Sequence, residues 1–304
     1  MKISVIGAGA VGATLAQRII EGGMADVVLV DILKNVAAGK ALDLLDASPL
    51  VGHERNILGT DDYGLINGSD IVVITAGLPR KPGMTREELI SKNAGIVRGV
   101  SENIKKHSPD AIVIVVTNPL DVMTYLALKV MGTKRNKVFG MAGALDGSRM
   151  AYLIADELKV KRSSVETMVL GSHGDTMVPV LSKTKVGGRP ITELLAKDRL
   201  GAIVKRTCDR GAEIVSLLGT GSAFYSPSAA TIKMIKAIKG DTKETITVSA
   251  LLEGEYGLKD VCIGVPCVIG KNGMEKVVET DLSEEEVSAF LKSSNAIKSS
   301  IDLL

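Results

Sequence analysis

The sequence contains no tryptophan, three phenylalanines and five tyrosines, so aromatics make up only 3% of its 304 residues. A stacking platform for nucleic-acid bases needs aromatic faces, and this chain has too few to build one. Charge of one sign is also missing: 37 Lys and Arg stand against 35 Asp and Glu, for a net +2. That balance implies neither nucleic acid nor an anionic membrane surface as partner. No apolar run approaches the roughly 20 residues that span a bilayer. Cysteine is limited to Cys208, Cys262 and Cys267, an odd number with no CxxC and no neighbouring histidines. A disulfide framework and a structural zinc site are therefore not expected; free, mostly buried thiols in a reducing cytoplasm are. No metal site is predicted. Met1-Lys2 runs straight into an apolar strand, which leaves no room for a signal peptide.

What is present is an alternation. Strands are predicted at Lys2–Ile6, Val27–Asp31, Asn56–Gly59, Ile71–Thr75, Ala111–Thr117 and Lys137–Gly140. Helical patterns lie between them at Gly12–Glu21, Asn35–Ala47, Ser91–His107 and Leu120–Met131. Most of the strands are continuous apolar runs, as in a parallel sheet covered by helices on both faces. Near residues 141–145 the pattern changes. A helix over Asp146–Leu158 is followed by hairpin-like strands within Val165–Val186 and a Gly187-Gly188 turn. Long helices are predicted over 197–219 and Pro227–Ile238, and a half-buried antiparallel strand over Thr245–Ala250. Val261–Gly270 and Lys276–Glu279 would pair with that strand, and Ser283 with Glu286 forms a capping box for the last helix.

Gly7-Ala8-Gly9-Ala10-Val11-Gly12 follows the first strand and opens the first helix. In this context glycines permit a tight turn, close approach of backbone to a pyrophosphate, and close helix–strand packing, while the helix N-terminus offers amide donors. Asp31 ends the second strand, 19 residues after Gly12. A carboxylate there accepts from the adenosine ribose hydroxyls and repels a 2′-phosphate, which favours NAD over NADP. The expected fold class is α/β: an N-terminal doubly wound Rossmann sheet over residues 1–142, then an α+β substrate domain with antiparallel strands over 143–304.

Of the three histidines, His53 and His107 sit in polar, loop-like surroundings and read as surface residues. His173 follows an apolar strand in Gly171-Ser172-His173-Gly174-Asp175, where flanking glycines leave the imidazole accessible. Asp146-Gly147-Ser148-Arg149 starts a helix, and its i, i+3 spacing puts acid and base on one face. A structural ion pair and a turn histidine are the plainer readings; an aspartate holding an imidazole, beside an arginine to clamp a carboxylate, would be machinery for oxidising a 2-hydroxy acid. Thr117-Asn118-Pro119 ends the fifth strand at its carboxyl edge, where Asn118 can reach a substrate hydroxyl; an ordinary Asn-Pro turn is the competing reading. Two arginines, Arg80 and Arg86, sit six residues apart in Ala76-Gly77-Leu78-Pro79-Arg80-Lys81-Pro82-Gly83-Met84-Thr85-Arg86. Pro79, Pro82 and Gly83 exclude a helix through this loop. Two guanidinium forks on it suggest a lid that carries charge onto a small anion.

These motifs, in this order, resemble the lactate/malate dehydrogenase family over essentially the whole chain, and most closely its lactate-dehydrogenase-like malate dehydrogenases. The resemblance implies NAD as cofactor and a small dicarboxylate, malate or oxaloacetate, as substrate. It implies that His173 is the proton acceptor, that Asp146 orients it, that Arg149 binds the C1 carboxylate, and that Arg86 polarises the C2 oxygen, which Asn118 also contacts. Cofactor contacts are implied at Gly7, Gly9, Ala10, Val11, Gly12, Asp31, Thr75, Ala76, Gly77, Asn93, Val116, Thr117 and Asn118. In the family, the position of Arg80 is typically glutamine for pyruvate and arginine for oxaloacetate. Burying Arg80 unpaired would cost roughly 3–5 kcal/mol, or about two to four orders of magnitude against pyruvate. A homodimer or homotetramer is expected, without nucleic acid or membrane. Lactate dehydrogenase and a non-catalytic NAD-binding module are the alternatives; glutamine at position 80 would mark the first, and the second has no need of His173, Asp146, Arg149 and Arg86 together.

Overall fold

A computed structural model describes residues 1–79 and 84–304; Arg80 and the side chain of Arg86 lie outside the described residues. The apolar runs of the first half form β1 (Lys2–Ile6), β2 (Asp26–Val30), β3 (Ile57–Thr60), β4 (Ile71–Ile74), β5 (Ile112–Val115) and β6 (Val138–Met141). Between them lie α1 (Ala10–Glu21), α2 (Lys34–Val51), α3 (Arg86–His107) and α4 (Leu120–Met131). These strands are parallel in the order β3-β2-β1-β4-β5-β6. Successive residues point to opposite faces, so Ile3, Val5 and Val73 enter one core while Ile6, Val72 and Ile74 enter the other. Both faces are covered, which is why the runs are apolar without alternation. Strand order reverses at β1/β4, and the crevice outside the carboxyl ends of the strands opens there.

The second half comprises α5 (Gly143–Leu158), β7 (Val165–Glu166), β8 (Val169–Gly171), β9 (Met177–Pro179), β10 (Lys185–Val186), β11 (Arg189–Pro190), α6 (Lys197–Leu218), α7 (Tyr225–Gly240), β12 (Glu244–Glu253), β13 (Lys259–Gly270), β14 (Gly273–Val277) and α8 (Glu284–Ile301). The change of pattern near residue 142 does not break the sheet. β12 pairs antiparallel with β6 through Val248↔Met141 and Ser249↔Gly140, and β13, β8 and β9 continue outward from it. β7, β10 and β11 form a separate small antiparallel sheet.

Several expectations need correction. The alternation over Thr245–Ala250 holds at its start, where exposed Thr245 and half-buried Thr247 alternate with buried Ile246 and Val248, but Ser249 is buried out of pattern, its hydroxyl donating to the buried Asp121 carboxylate at 2.7 Å. The last strand is Gly273–Val277 rather than Lys276–Glu279, since Gly270 pairs with Gly273 (φ 95°) across a tight turn. α3 starts five residues earlier than expected, at Arg86 rather than Ser91, and Thr85 with Glu88 supplies a reciprocal capping box that the sequence pattern contained. His53 is buried rather than superficial: its Nδ1 accepts the Arg55 amide at 3.3 Å. His107 is the last, half-buried residue of α3.

α2 runs on to Val51 with Pro49 inside it. Proline cannot donate to the carbonyl four residues back, and the orphaned acceptor is Leu45. The Ser48 hydroxyl takes that place, donating to Leu45 O at 2.6 Å. Ser48→Ala should therefore lower the unfolding free energy in urea by about 1 kcal/mol. The same change should cost clearly less in a Pro49→Ala background, where residue 49 regains its amide. Equal costs in the two backgrounds would show that the hydroxyl does not serve Leu45.

Candidate active site

The turn after β1 is shaped by contacts that leave no room for side chains. Gly7 has φ 108°, and a Cβ on Gly12 would lie 1.8 Å from the Gly7 carbonyl oxygen. Gly9 has open space around it, so nothing within the protein demands glycine there. It is the N-cap of α1 and provides no side-chain cap, so the first-turn amides of Ala10, Val11 and Gly12 have no intrahelical acceptor. Asp31, at the end of β2, accepts the Ala8 amide at 2.6 Å through Oδ2 and the Leu33 amide at 2.9 Å through Oδ1. A carboxylate has about four acceptor positions, so each oxygen retains one. Lys40 reaches from α2 to donate to Ala8 O at 2.6 Å and braces the turn from its other side. An open glycine on uncapped amides, next to a half-satisfied carboxylate, fits a dinucleotide: pyrophosphate over the turn and ribose hydroxyls on Asp31.

Threonine and asparagine side chains join the neighbouring strand ends. Thr75 Oγ1 lies 3.0 Å from both Ile6 O and Gly7 O, and Thr117 Oγ1 donates to Ala76 O at 2.7 Å. Ala76 is half-buried, Gly77 is exposed, and Val116 and Thr117 are buried below them. A Cβ on Gly77 would come within 2.5 Å of Thr117 Cγ2, so the chain crosses here only as glycine. Asn93, expected against the cofactor, is 1% exposed and has its amide turned to the protein. Its Oδ1 accepts the Leu78 amide at 2.8 Å, and its Nδ2 donates to Leu78 O at 3.1 Å and Asn118 O at 2.7 Å. It ties the root of the two-arginine loop to the turn after β5. The Asn118 side chain itself is exposed at the crevice edge.

The opposite wall comes from α5 and the loop after β8. A Cβ on Gly143 would strike Val169 O at 2.1 Å, so only glycine lets α5 pack this closely on β8. That approach brings the two polar stretches together. Asp146 is 1% exposed; its Oδ2 lies 2.7 Å from His173 Nδ1, and its Oδ1 accepts from Arg149 Nη1 at 3.3 Å. A carboxylate only accepts, so Nδ1 carries the proton and Nε2 the lone pair. Burial would lower the His173 pKa, but the Asp146 charge and hydrogen bond outweigh it and hold the imidazole above its ordinary 6.5. Burial likewise lowers the Arg149 pKa, and the nearby Arg210 adds to this against Asp146. Arg149 Nε and Arg210 Nη2 are buried with no hydrogen-bond partner among the described residues. Buried donors without acceptors are rare, and two on adjacent guanidiniums suit an anion.

The sequence reading missed Asp121, a carboxylate in the first turn of α4 that is 4% exposed. Its Oδ2 accepts the His173 backbone amide at 2.9 Å. The signal was present: the lone acid near the start of Leu120–Met131, a largely apolar helix. Ser293 of α8 was missed as well; its hydroxyl accepts the Ser172 amide at 2.8 Å and pins the same loop. Among the described residues there is no cluster of three or more metal-ligating side chains. No helix among them is long and apolar enough to cross a membrane.

Two family models cover nearly the whole chain: "lactate/malate dehydrogenase, NAD binding domain" over residues 1–140 and "lactate/malate dehydrogenase, alpha/beta C-terminal domain" over 143–304. The chain is 50% identical to a malate dehydrogenase of Methanosarcina barkeri over 303 residues, covering 100% of this chain and 99% of that one. A crystal structure of Cryptosporidium parvum malate dehydrogenase superposes with a TM-score of 0.97 at 42% identity, over 99% of this chain and 98% of that one. A lactate dehydrogenase from the same organism, solved with lactic acid and NAD, superposes at 0.96 and 41% identity, over 99% and 97% of the respective chains.

Because Asp146 carries the charge that raises the His173 pKa, Asp146→Asn should move the His173 titration midpoint downward. With only three histidines, the ring signals can be followed individually by NMR as pH is varied. An unchanged midpoint would mean that Asp146 does not control the imidazole.

Proposed function

Since the chain belongs to the lactate/malate dehydrogenase family, we propose that it is an NAD-dependent malate dehydrogenase, interconverting (S)-malate and oxaloacetate. The observation that carries this reading is the buried Asp146 carboxylate bonded to both His173 and Arg149, with Arg149 Nε left without a partner among the described residues. Arg149 holds the C1 carboxylate through its parallel donors, beside the electropositive Arg210. His173 Nε2, which has the lone pair, accepts the C2 hydroxyl proton during malate oxidation and returns it during reduction. Asp146 stabilises the imidazolium that forms and keeps the ring oriented, much as an aspartate does in a hydrolase triad. Arg86 and Asn118 are assigned to the C2 oxygen, where negative charge develops. Bound NAD supplies the two-electron chemistry, taking the hydride from C2 and giving it back in reverse. Gly7, Gly9, Ala10, Val11, Gly12 and Asp31 hold its phosphates and ribose, and Thr75, Ala76, Gly77, Val116, Thr117 and Asn118 line its course. Asn93 acts from behind by fixing Leu78 and Asn118.

Residues 1–142 form the nucleotide-binding unit in this reading and 143–304 the substrate unit, with the division just before α5. A homodimer or homotetramer is supported by exposed apolar side chains on α2 and at the end of α6, among them Leu42 at 63%, Leu50 at 88% and Leu217 at 82%. Three free thiols, two of them buried, are compatible with a cytoplasmic location.

The relatives matched at about 50% identity over the whole chain are malate dehydrogenases, and the choice of acid is assigned to position 80. Arg80 pairs the second carboxylate of oxaloacetate, and pyruvate offers it no partner. Turnover of NADH and of NADPH, each with oxaloacetate and with pyruvate, should be fast only for NADH with oxaloacetate. Arg80→Gln should lower kcat/KM for oxaloacetate by two or more orders of magnitude and raise it for pyruvate. An unchanged preference would remove Arg80 as the selector, and absence of turnover with every pair would reject the dehydrogenase reading.

Proton transfer at His173 also fixes the sign of the pH dependence. Malate oxidation needs the neutral imidazole, so its kcat/KM should rise with pH through a midpoint above 6.5. Oxaloacetate reduction needs the imidazolium and should fall over the same range. Limbs of the same sign in both directions would exclude His173 as the group that exchanges the proton.

A further inference from the structure

His173 is held at both ends by carboxylates from different helices. Asp146 of α5 takes the ring at Nδ1, and Asp121 of α4 takes the main-chain amide at 2.9 Å. The second oxygen of Asp121 accepts from Ser249 on β12 at 2.7 Å, so this carboxylate ties α4 both to β12 and to the loop after β8 that carries the histidine. We propose that Asp121 is a positioning residue for His173: it fixes the main chain from which the imidazole projects, and its charge favours the imidazolium. This inference rests on the reading of His173 as the proton acceptor.

A latch between α4 and β12 would be the plainer role, but asparagine could serve as that latch. Its Oδ1 could accept the His173 amide while its Nδ2 donates to the Ser249 hydroxyl, and no charge would be buried. Instead the chain keeps a carboxylate here at a cost. Burial pushes Asp121 up to about 6, with the Ser249 and His173 hydrogen bonds restraining the rise. The loop also has another anchor, because Ser293 already ties Ser172 to α8. What asparagine would lack is the negative charge beside the imidazole. The ionisable groups around the pair are few: His173 faces Asp146 and Arg149 of α5 and Asp121 of α4, and Asp121 also feels Asp146 and the buried Cys262 of β13.

Two variants separate anchor from charge. Asp121→Ala leaves the His173 amide unpaired, and kcat for oxaloacetate reduction should fall roughly 10- to 100-fold, the scale expected of a displaced catalytic group. The primary deuterium isotope effect with 4-deuterated NADH should grow in the same variant, because proton and hydride transfer become slower than release steps. Asp121→Asn should recover most of that rate by keeping both hydrogen bonds, yet shift the NMR titration midpoint of His173 downward. The titration needs no substrate, so it reports on Asp121 even if oxaloacetate proves to be the wrong acid; wild-type turnover tests the acid separately. A kcat for Asp121→Ala within twofold of wild type, or a His173 midpoint in Asp121→Asn equal to wild type, would overturn the inference.

Discussion

The sharing of the Asp146 carboxylate between His173 and Arg149 is the constraint on which the rest of the site depends. A carboxylate with 1% exposure keeps its charge only if charged or strongly polar groups replace the lost water. Arg149 and the imidazole do this, and each is in turn fixed by the bond. With Asp121 added, the buried set holds two acids, one guanidinium and one imidazole. When the imidazole is neutral the set carries one net negative charge, and protonation of His173 brings it to zero. A low-dielectric cluster favours neutrality, which explains why the His173 pKa rises despite burial. A substrate carboxylate arriving at Arg149 restores the negative charge, so binding and protonation of His173 favour one another in the proposed mechanism.

That cluster exists only because two unrelated segments pack closely. Gly143 lets α5 rest on the Val169 carbonyl, and the antiparallel strands extend the parallel sheet without a gap. β12 follows β6 in the sheet, so Ser249 lies beside Gly140 and within reach of Asp121. The crevice at the carboxyl ends of β1, β4 and β5 is thereby closed on its far side by α5 and the loop after β8. In the proposed mechanism the cofactor side is built from backbone and small side chains, and the chemical side from charged or titratable ones.

The sequence was most legible where the chemistry is local. The glycine turn, Asp31 after β2, the i, i+3 pair Asp146/Arg149 and the alternation of strand and helix are all short-range patterns, and their elements appear within a few residues of where the pattern put them. Non-local bonds were invisible. Nothing in the sequence says that the Asn93 amide meets Leu78, 15 residues away, and Asn118, 25 residues away. Asp121 was overlooked because its partners are 52 and 128 residues distant. His53 looked superficial from its polar neighbours, although its own side chain turns inward.

The bonds from Asn93 also bear on how selectivity can be separated from chemistry. Leu78 is held by both its amide and its carbonyl, so the root of the two-arginine loop is as fixed as the sheet behind it. The same asparagine grips Asn118, whose exposed side chain faces the reacting oxygen in the proposed mechanism. Loop root and crevice edge therefore share one buried anchor. Arg149, His173 and Asp146 lie on the opposite wall, and among the described residues none of them bonds to that anchor. In the proposed mechanism, replacing the side chain at position 80 alters which acid is matched and leaves Arg149, His173 and Asp146 to exchange the proton. In that reading one scaffold serves mono- and dicarboxylic acids because the residue that distinguishes them is separate in sequence from the buried charges assigned to the reaction.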